Sequence, residues 1–254
     1  MAHKPKTSKS APEKWQQIPC PICGSGTFTH LFTKDHEPFV KCNDCDLVLI
    51  NPRPVFQQVL MTYDHAYSEY YANKAIKKLR RFRRWVYRAK KLVSKGRWLD
   101  VGCSIGLVVK VANEAGFEGY GVDLEEWGVA YARNHLKLPN IQQGFLEDQN
   151  YPDSFFSVIS LYDVIEHVPD LNLLVKELKR ILATDGIINI ITPDIGHWRV
   201  PRNLASWNDI KPSEHLYYFS KHTLSLLLEK HGLRILKTRF HFKPSMRVYA
   251  GHAV

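Results

Sequence analysis

The sequence predicts an α/β protein: a doubly wound, mainly parallel sheet with a small zinc-ribbon module at its N-terminus. Three observations predict it. Two Cys-x-x-Cys pairs lie close together, at 20–23 and 42–45. A strand-like run ends in a glycine turn at 102–106 and leads into an apolar helix pattern. From there to the C-terminus, short apolar runs alternate with helical patterns, as βαβ units do. A chain of 254 residues can hold one such domain and something small beside it.

The start of the chain is plain. Residues 1–17 are rich in Lys, Ser and Pro and are expected to form a disordered tail. They lack the apolar stretch of a signal peptide, and no run of 18 apolar residues occurs anywhere. The expectation is a cytoplasmic protein with reduced thiols and no transmembrane segment. With 44% hydrophobic and 24% charged residues, the composition is that of a globular protein rather than a fibrous or disordered one. The expected plan is a tail at 1–17, the ribbon at 18–50, a helical linker or cap at 51–96 and the α/β domain at 97–254.

Cys20 and Cys23 precede Cys42 and Cys45 by eighteen intervening residues. A two-residue gap lets both sulfurs of a tight turn reach one ion, and two such knuckles complete a tetrahedron. Gly24 and Gly26 suit the positive dihedral angles of such a turn. The segment between the pairs offers one or two short strands, too few for a core, so a metal would staple the module. Four thiolates leave no open position, so the zinc is expected to be structural. Buried unpaired thiols or two disulfides are the alternatives.

Residues 74–95 are expected to form a long helix. Ile76, Leu79, Phe82, Val86, Ala89 and Val93 make one apolar stripe. Residues 74–97 hold twelve Lys and Arg and no acid, and taking those twelve from the net charge of +10 leaves −2 for everything else. The basicity is therefore local, which weakens any argument from pI to nucleic-acid binding. The basic face is either solvated or meets an anion: a substrate group, RNA phosphates or a lipid surface. Tyr63, Tyr67, Tyr70 and Tyr71 cluster just upstream and can serve as packing or as cover for a site.

The run RWLDVGCSIG at 97–106 reads as strand, turn and helix start, with Gly116 ending the helix. A second strand ends at Asp123, twenty-one residues after Gly102, and a helix follows at 125–136. That aspartate stands where an acid accepts hydrogen bonds from ribose hydroxyls. A dinucleotide fingerprint would need glycines at 104 and 107, but the chain has Ser104 and Leu107. Gly102 to Gly106 also spells G-x-S-x-G, a hydrolase nucleophile elbow with Ser104 as nucleophile. An elbow follows several strands, whereas here only the ribbon and a basic helix come first.

Asp100, Gly102 and Gly106 together resemble motif I of class I S-adenosylmethionine (SAM)-dependent methyltransferases, which usually have glycine where Ser104 stands. The segment 154–170, ending Glu166-His167-Val-Pro-Asp170, resembles the family's fourth-strand motif, in particular that of its small-molecule, ubiquinone-biosynthesis-like branch. The resemblance covers roughly 98–242 and implies a seven-stranded Rossmann-like sheet. It implies cofactor contacts from Asp100, Gly102, Cys103, Gly106, Asp123 and Leu124, from Phe145 and Leu146 after a third strand at 140–143, and from Leu161 and Tyr162 at the end of the fourth. Asp170 is placed to cap a helix with Leu171, Leu174, Val175, Leu178 and Ile181 on one face. Residues 184–186 should turn into a fifth strand at 187–192. A helix from Ser220 to Gly232 and a strand pair at 233–242 and 246–249 should close the sheet.

The connection at 194–219 is long for a compact domain and carries His197, Trp198, Trp207, His215, Tyr217 and Tyr218, so it is expected to be a lid or substrate wall. His215 and His167 are candidate general bases for a hydroxyl acceptor, against the plainer role of histidines satisfied by the backbone. The expected reaction is methyl transfer to a small-molecule acceptor such as a sugar, quinone or secondary metabolite, with oxygen favoured as the acceptor atom. An anionic group on that acceptor would suit the basic helix. One alternative is an RNA methyltransferase gripping RNA with ribbon and helix, although no Asn/Asp-Pro-Pro-Tyr/Phe motif is present. Another is a non-catalytic SAM-binding protein with a zinc-ribbon interaction module.

Overall fold

A computed structural model describes residues 14–55 and 75–253, with side chains in the second stretch from residue 78. The tyrosines at 63–71, most of the expected tail and the Ile76 side chain lie outside the described residues.

The main sheet has seven strands in the order β12-β13-β10-β9-β6-β7-β8. Strands β6 (Arg97–Val101), β7 (Glu118–Asp123), β8 (Ile141–Gln143), β9 (Phe156–Tyr162) and β10 (Leu182–Pro193) pair in parallel. Strands β12 (Leu233–Arg239) and β13 (Ser245–His252) close it as the antiparallel pair. Chain order reverses between β6 and β9, which opens a crevice at their carboxyl ends.

Five α-helices are described: α1 (Ala75–Lys90), α2 (Leu107–Glu114), α3 (Glu126–Asn134), α4 (Leu171–Ile181) and α5 (Lys221–Lys230). Their starts follow local chemistry. Glu125 caps α3 by accepting from the N–H groups of Trp127 and Gly128. Asp170 caps α4 in the same way, and Ser220 with Thr223 forms a capping box on α5. Helix α1 ends at Lys90, short of the expected residue 95, and Leu92 beyond it is 44% exposed. Strand β10 begins at Leu182, with a register shift between Leu182 and Ile187 where a turn was expected.

The two faces of the sheet are covered differently. Leu171, Leu174 and Leu178 of α4 and Leu224, Leu227 and Leu228 of α5 pack on one face. On the other, Phe82, Val86 and Ala89 of α1 and Leu107, Val108 and Val111 of α2 meet Trp98 and Val158. The helical stripe read from the sequence is thus the buried face of α1. Its basic side is partly balanced in space by acids distant in sequence: Arg83 meets Glu114 at 3.1 Å.

The cysteine-bearing segment forms a second sheet in the order β11-β4-β3-β2, from β2 (Phe28–Lys34), β3 (Glu37–Cys42), β4 (Val48–Ile50) and β11 (Tyr217–Tyr218). A short two-stranded sheet of β1 (Trp15–Gln16) and β5 (Arg53–Pro54) sits beside it. Strand β11 comes from the long connection after β10 and pairs antiparallel with β4. Ile22, Val40, Leu47 and Leu49 belong to the same apolar cluster as α4 and α5. The ribbon therefore shares its core with the larger domain. Arg53 ties the two together, donating to the Tyr217 hydroxyl at 2.6 Å and the Pro169 carbonyl at 2.8 Å.

Candidate active site and four-cysteine cluster

The crevice at the β6–β9 switch point is lined by Asp100, Gly102, Cys103, Ser104, Leu107 and Val108 on one side and by Tyr162 and Asp163 on the other. Arg81, Phe82 and Trp85 of α1 form its roof. With its mouth, open to solvent, it spans ≈ 370 Å³.

The turn after β6 is built for close approach. Gly102 has φ +71°, and a Cβ there would lie 2.5 Å from Val164. Gly106 has φ +77°, and a Cβ there would strike Leu138 at 2.7 Å and Ala132 at 3.0 Å, so only glycine lets the turn seat against α3. Ser104 also lies at φ +48°, the left-handed region that favours glycine. Its N–H donates to Asp123 Oδ2 at 2.7 Å, and Asp123 Oδ1 accepts from the Glu125 N–H at 2.9 Å. Asp123 is thus anchored at the end of β7 beside the turn. Asp100 is buried and accepts from the Ser160 hydroxyl at 2.5 Å. Burial raises the Asp100 pKa well above the ordinary carboxylate range, and the Ser160 hydroxyl bond works against that rise.

The cofactor contacts implied by resemblance separate in space. Asp100, Gly102, Cys103 and Tyr162 line the crevice, and Gly106 and Asp123 hold its turn. Leu124 and Phe145 are part-exposed after β7 and β8. Leu146 and Leu161 do not line the crevice: both are buried in the cluster under α4 and α5. For Leu161 the reason is strand alternation, since its neighbour Tyr162 takes the opposite face. Sequence reading missed Arg81 and Trp85, whose helical spacing marked a basic or apolar face without saying what it overlooks. As for the hydrolase alternative, the Ser104 hydroxyl is buried without a hydrogen-bond partner, so no histidine activates it.

His167 and His215 come together on the turns after β9 and before β11, their rings 4.6 Å apart and edge-to-face. His167 Nδ1 lies 2.6 Å from the Glu214 carbonyl, which fixes it as the protonated nitrogen and leaves Nε2 as an acceptor. His215 is buried, and its Nδ1 has no partner. Beside them stands Glu166, also missed from sequence, where it read as a motif acid. Its Oε2 accepts from the Thr192 hydroxyl at 2.9 Å, and its Oε1 has no partner. One ligand atom from each of the three lies within 4.8 Å of the other two, a donor set that can take a proton or a divalent cation. Burial, helped by the charge of Asp163, pushes Glu166 up to about 8. Burial pushes His167 down to about 4 and His215 down to about 2, so both imidazoles are neutral at physiological pH.

Cys20, Cys23, Cys42 and Cys45 converge, with Cys20 and Cys45 sulfurs 3.4 Å apart and the Cys23 and Cys42 sulfurs also 3.4 Å apart. The thiols are free rather than disulfide-bonded. A tetrahedral zinc thiolate has sulfur–sulfur edges of about 3.8 Å, so the cluster is compatible with one zinc ion. The knuckles match: the N–H of Gly24 returns to the Cys20 carbonyl and that of Asp46 to the Cys42 carbonyl. Gly24 has φ +80° and Asp46 +62°, whereas Gly26, expected to share this role, has no positive φ.

Strand order, crevice position and the Asp100–Asp123 frame define the class I SAM-dependent methyltransferase fold. The chain belongs to the methyltransferase domain family, whose pattern it matches over residues 63–238. A ubiquinone biosynthesis O-methyltransferase of Idiomarina loihiensis is 34% identical over 116 residues, which cover 43% of this chain and 44% of that protein. A probable SAM-dependent methyltransferase of Mycobacterium tuberculosis is 30% identical over 100 residues, covering 38% of this chain and 35% of that one. The matches thus span less than half the length of either relative. Among solved structures, that of mitomycin 7-O-methyltransferase superimposes with a TM-score of 0.61 at 17% identity, over 78% of this chain and 60% of that one. A SAM-dependent methyltransferase from Archaeoglobus fulgidus does so with a TM-score of 0.56 at 23% identity, over 70% and 77%. These two likenesses are of fold.

Proposed function

We propose that this chain transfers the methyl group of SAM to a hydroxyl of a small-molecule acceptor. The observation that carries the reading is the placement of Glu166 and His167 on the turn after β9, with His215 against them, where Tyr162 at the end of that strand and Asp163 beyond it line the crevice. The similarity to ubiquinone biosynthesis O-methyltransferases supports it.

When bound, SAM supplies a methyl group already activated by its sulfonium, so the protein's work is binding, orientation and exclusion of water. Asp123 would receive the ribose hydroxyls and Asp100 the ammonium group, while Arg81 offers a guanidinium to the carboxylate. Trp85, Tyr162 and Leu107 keep the crevice apolar where the methyl must travel. On the acceptor side, half-buried His167 presents Nε2 as proton acceptor, its orientation held by the Glu214 carbonyl. Beside it Glu166, whose own proton affinity burial raises to about 8, is the second proton acceptor, and such a pair suits an acidic hydroxyl, such as a phenol, better than an aliphatic alcohol. We further infer that the four cysteines hold a structural zinc.

Radiolabelled SAM tested against matched phenols, aliphatic alcohols and RNA decides the matter. The reading expects turnover on phenols, with kcat lowered about 10²–10⁴-fold in His167→Ala and Glu166→Gln and SAM affinity retained. Methylation of RNA alone would overturn it, and so would full turnover in both variants.

A further inference from the structure

Across the face of the main sheet that α1 covers, polar side chains stand where apolar ones are the rule. The strand registers align Asp100 with Ser160, Ser160 with Asn189 and Asn189 with Tyr249 in one row over β6, β9, β10 and β13. The next row toward the carboxyl edge runs from Tyr162 through Ile191 to Arg247. Arg247 is 3% exposed. Its guanidinium carbon lies 4.5 Å from the centre of the Trp85 ring, and Trp85 meets Tyr162 edge-to-face at 4.8 Å. Both aromatic residues line the crevice, so Arg247 stands one residue layer from it.

This cation is poorly compensated. Its Nε has no hydrogen-bond partner. Among the described residues no carboxylate forms an ion pair with it. Burial works against its charge, as does Arg88 of α1, and what favours it are the hydroxyls of Tyr162 and Tyr249, with Tyr249 near enough to hydrogen-bond. Arg81, Trp85 and Arg88 recur at helical spacing, so one side of α1 adds positive charge around the indole. A buried charge without a partner is costly, and a fixed guanidinium beside a flat aromatic wall matches a carboxylate or phosphate group.

The position separates this group from the cofactor frame. Asp100, Gly102 and Asp123 lie on β6, β7 and the turn between them, whereas Arg247 lies on β13, beyond β9 and β10. We propose that Arg247, with Trp85 as its apolar wall, anchors an anionic group, a carboxylate or a phosphate, on the methyl acceptor. The assignment rests on the methyltransferase reading above and names the substrate class of that site.

The test is calorimetric titration of protein saturated with S-adenosylhomocysteine. The probes are benzoate, its uncharged isostere benzamide, and inorganic phosphate. Wild type is expected to bind benzoate or phosphate, and whichever binds more tightly names the source of the charge. Benzamide should bind at least tenfold more weakly than the anion (about 1.4 kcal/mol). Arg247→Met should abolish anion binding and leave S-adenosylhomocysteine affinity unchanged. It should melt no lower than wild type in anion-free buffer, because it removes a buried charge that no described carboxylate pairs. Arg247→Lys, which keeps the charge but loses the fork, should bind the anion with intermediate strength. Several results would overturn the assignment: no anion bound by the saturated wild type, benzamide bound as tightly as the tighter of the two anions, anion binding that survives Arg247→Met, or loss of S-adenosylhomocysteine in that variant. Failure of wild type to bind S-adenosylhomocysteine at all would instead bring down the methyltransferase reading, and this assignment with it.

Discussion

Ser104 carries a conformational cost that the cofactor turn imposes. It holds a φ of +48° with a buried, unpartnered hydroxyl, yet its N–H is the donor that fixes Asp123. Glycine supplies the same N–H without strain, so Ser104→Gly is expected to stabilise the fold by about 1 kcal/mol and to leave SAM affinity unchanged. Thermal melting with and without cofactor checks both halves. Glu166 makes a prediction of opposite character. Its folded pKa of about 8 exceeds that of an unfolded glutamate, so the native state holds a proton that the unfolded chain releases. The contribution of Glu166 to stability is therefore full below about pH 4 and is lost as pH rises through 8. His167 and His215 have depressed values and act in the opposite sense, but only below about pH 6.5, where the unfolded histidines take up protons. Between pH 6.5 and 8 the raised carboxyls Asp100, Asp123 and Asp163 are common to both proteins, so the difference in slope between wild type and Glu166→Gln belongs to Glu166. With EDTA present, wild type should lose on the order of 1–2 kcal/mol relative to Glu166→Gln across that window. Parallel profiles for the two proteins would show that Glu166 ionises normally.

Two elements join the cysteine-bearing sheet to the acceptor side of the molecule. Strand β11 pairs with β4, and the turn before it holds His215. Within that turn Ser213 donates through its N–H to buried Glu37 of β3 at 2.7 Å. At the other end of the ribbon, Lys230 of α5 donates to the Pro21 carbonyl at 2.7 Å, next to the first knuckle. Because Cys20, Cys42 and Cys45 belong to the same core cluster as α4 and α5, loss of the zinc proposed for them should propagate. Zinc removal, or Cys42→Ser, is expected to destabilise the whole described fold by several kcal/mol in one cooperative transition. Amide exchange at Tyr217 and Tyr218 should accelerate together with exchange in β4. An unchanged melting temperature after zinc removal would show that the ribbon is an appendage. Helix α1 links elements in the same way: one face packs on α2, and the neighbouring one roofs the crevice through Arg81 and Trp85.

Over the whole molecule, the sequence was most legible where folding is local. The glycine turn, the caps at Asp170 and Ser220 and the alternation of β6 to β10 with helices state their own structure within a few residues. The four cysteines did so as well, because knuckle geometry is fixed by a two-residue gap. The pairing of β4 with β11 was not legible: β11 is two residues long and lies far along the chain from its partner, so no local periodicity announces it. The site was half legible. Asp100, Gly102 and Tyr162 announced themselves, and His167 and His215 met as a pair. Leu161 was assigned to the crevice although strand alternation allows only one of Leu161 and Tyr162 to face it. Glu166, Arg81, Trp85 and Arg247 escaped because their roles depend on what faces them across the sheet or from α1. The central claim is that the β6 turn and Asp123 together form a SAM site. Calorimetric titration of zinc-replete wild-type protein with SAM, alongside Asp123→Ala, tests it most directly. The account predicts saturable binding weakened at least tenfold by the substitution, about 1.4 kcal/mol. Folded wild-type protein that binds no SAM, or an Asp123→Ala variant that binds it equally well, would contradict the account.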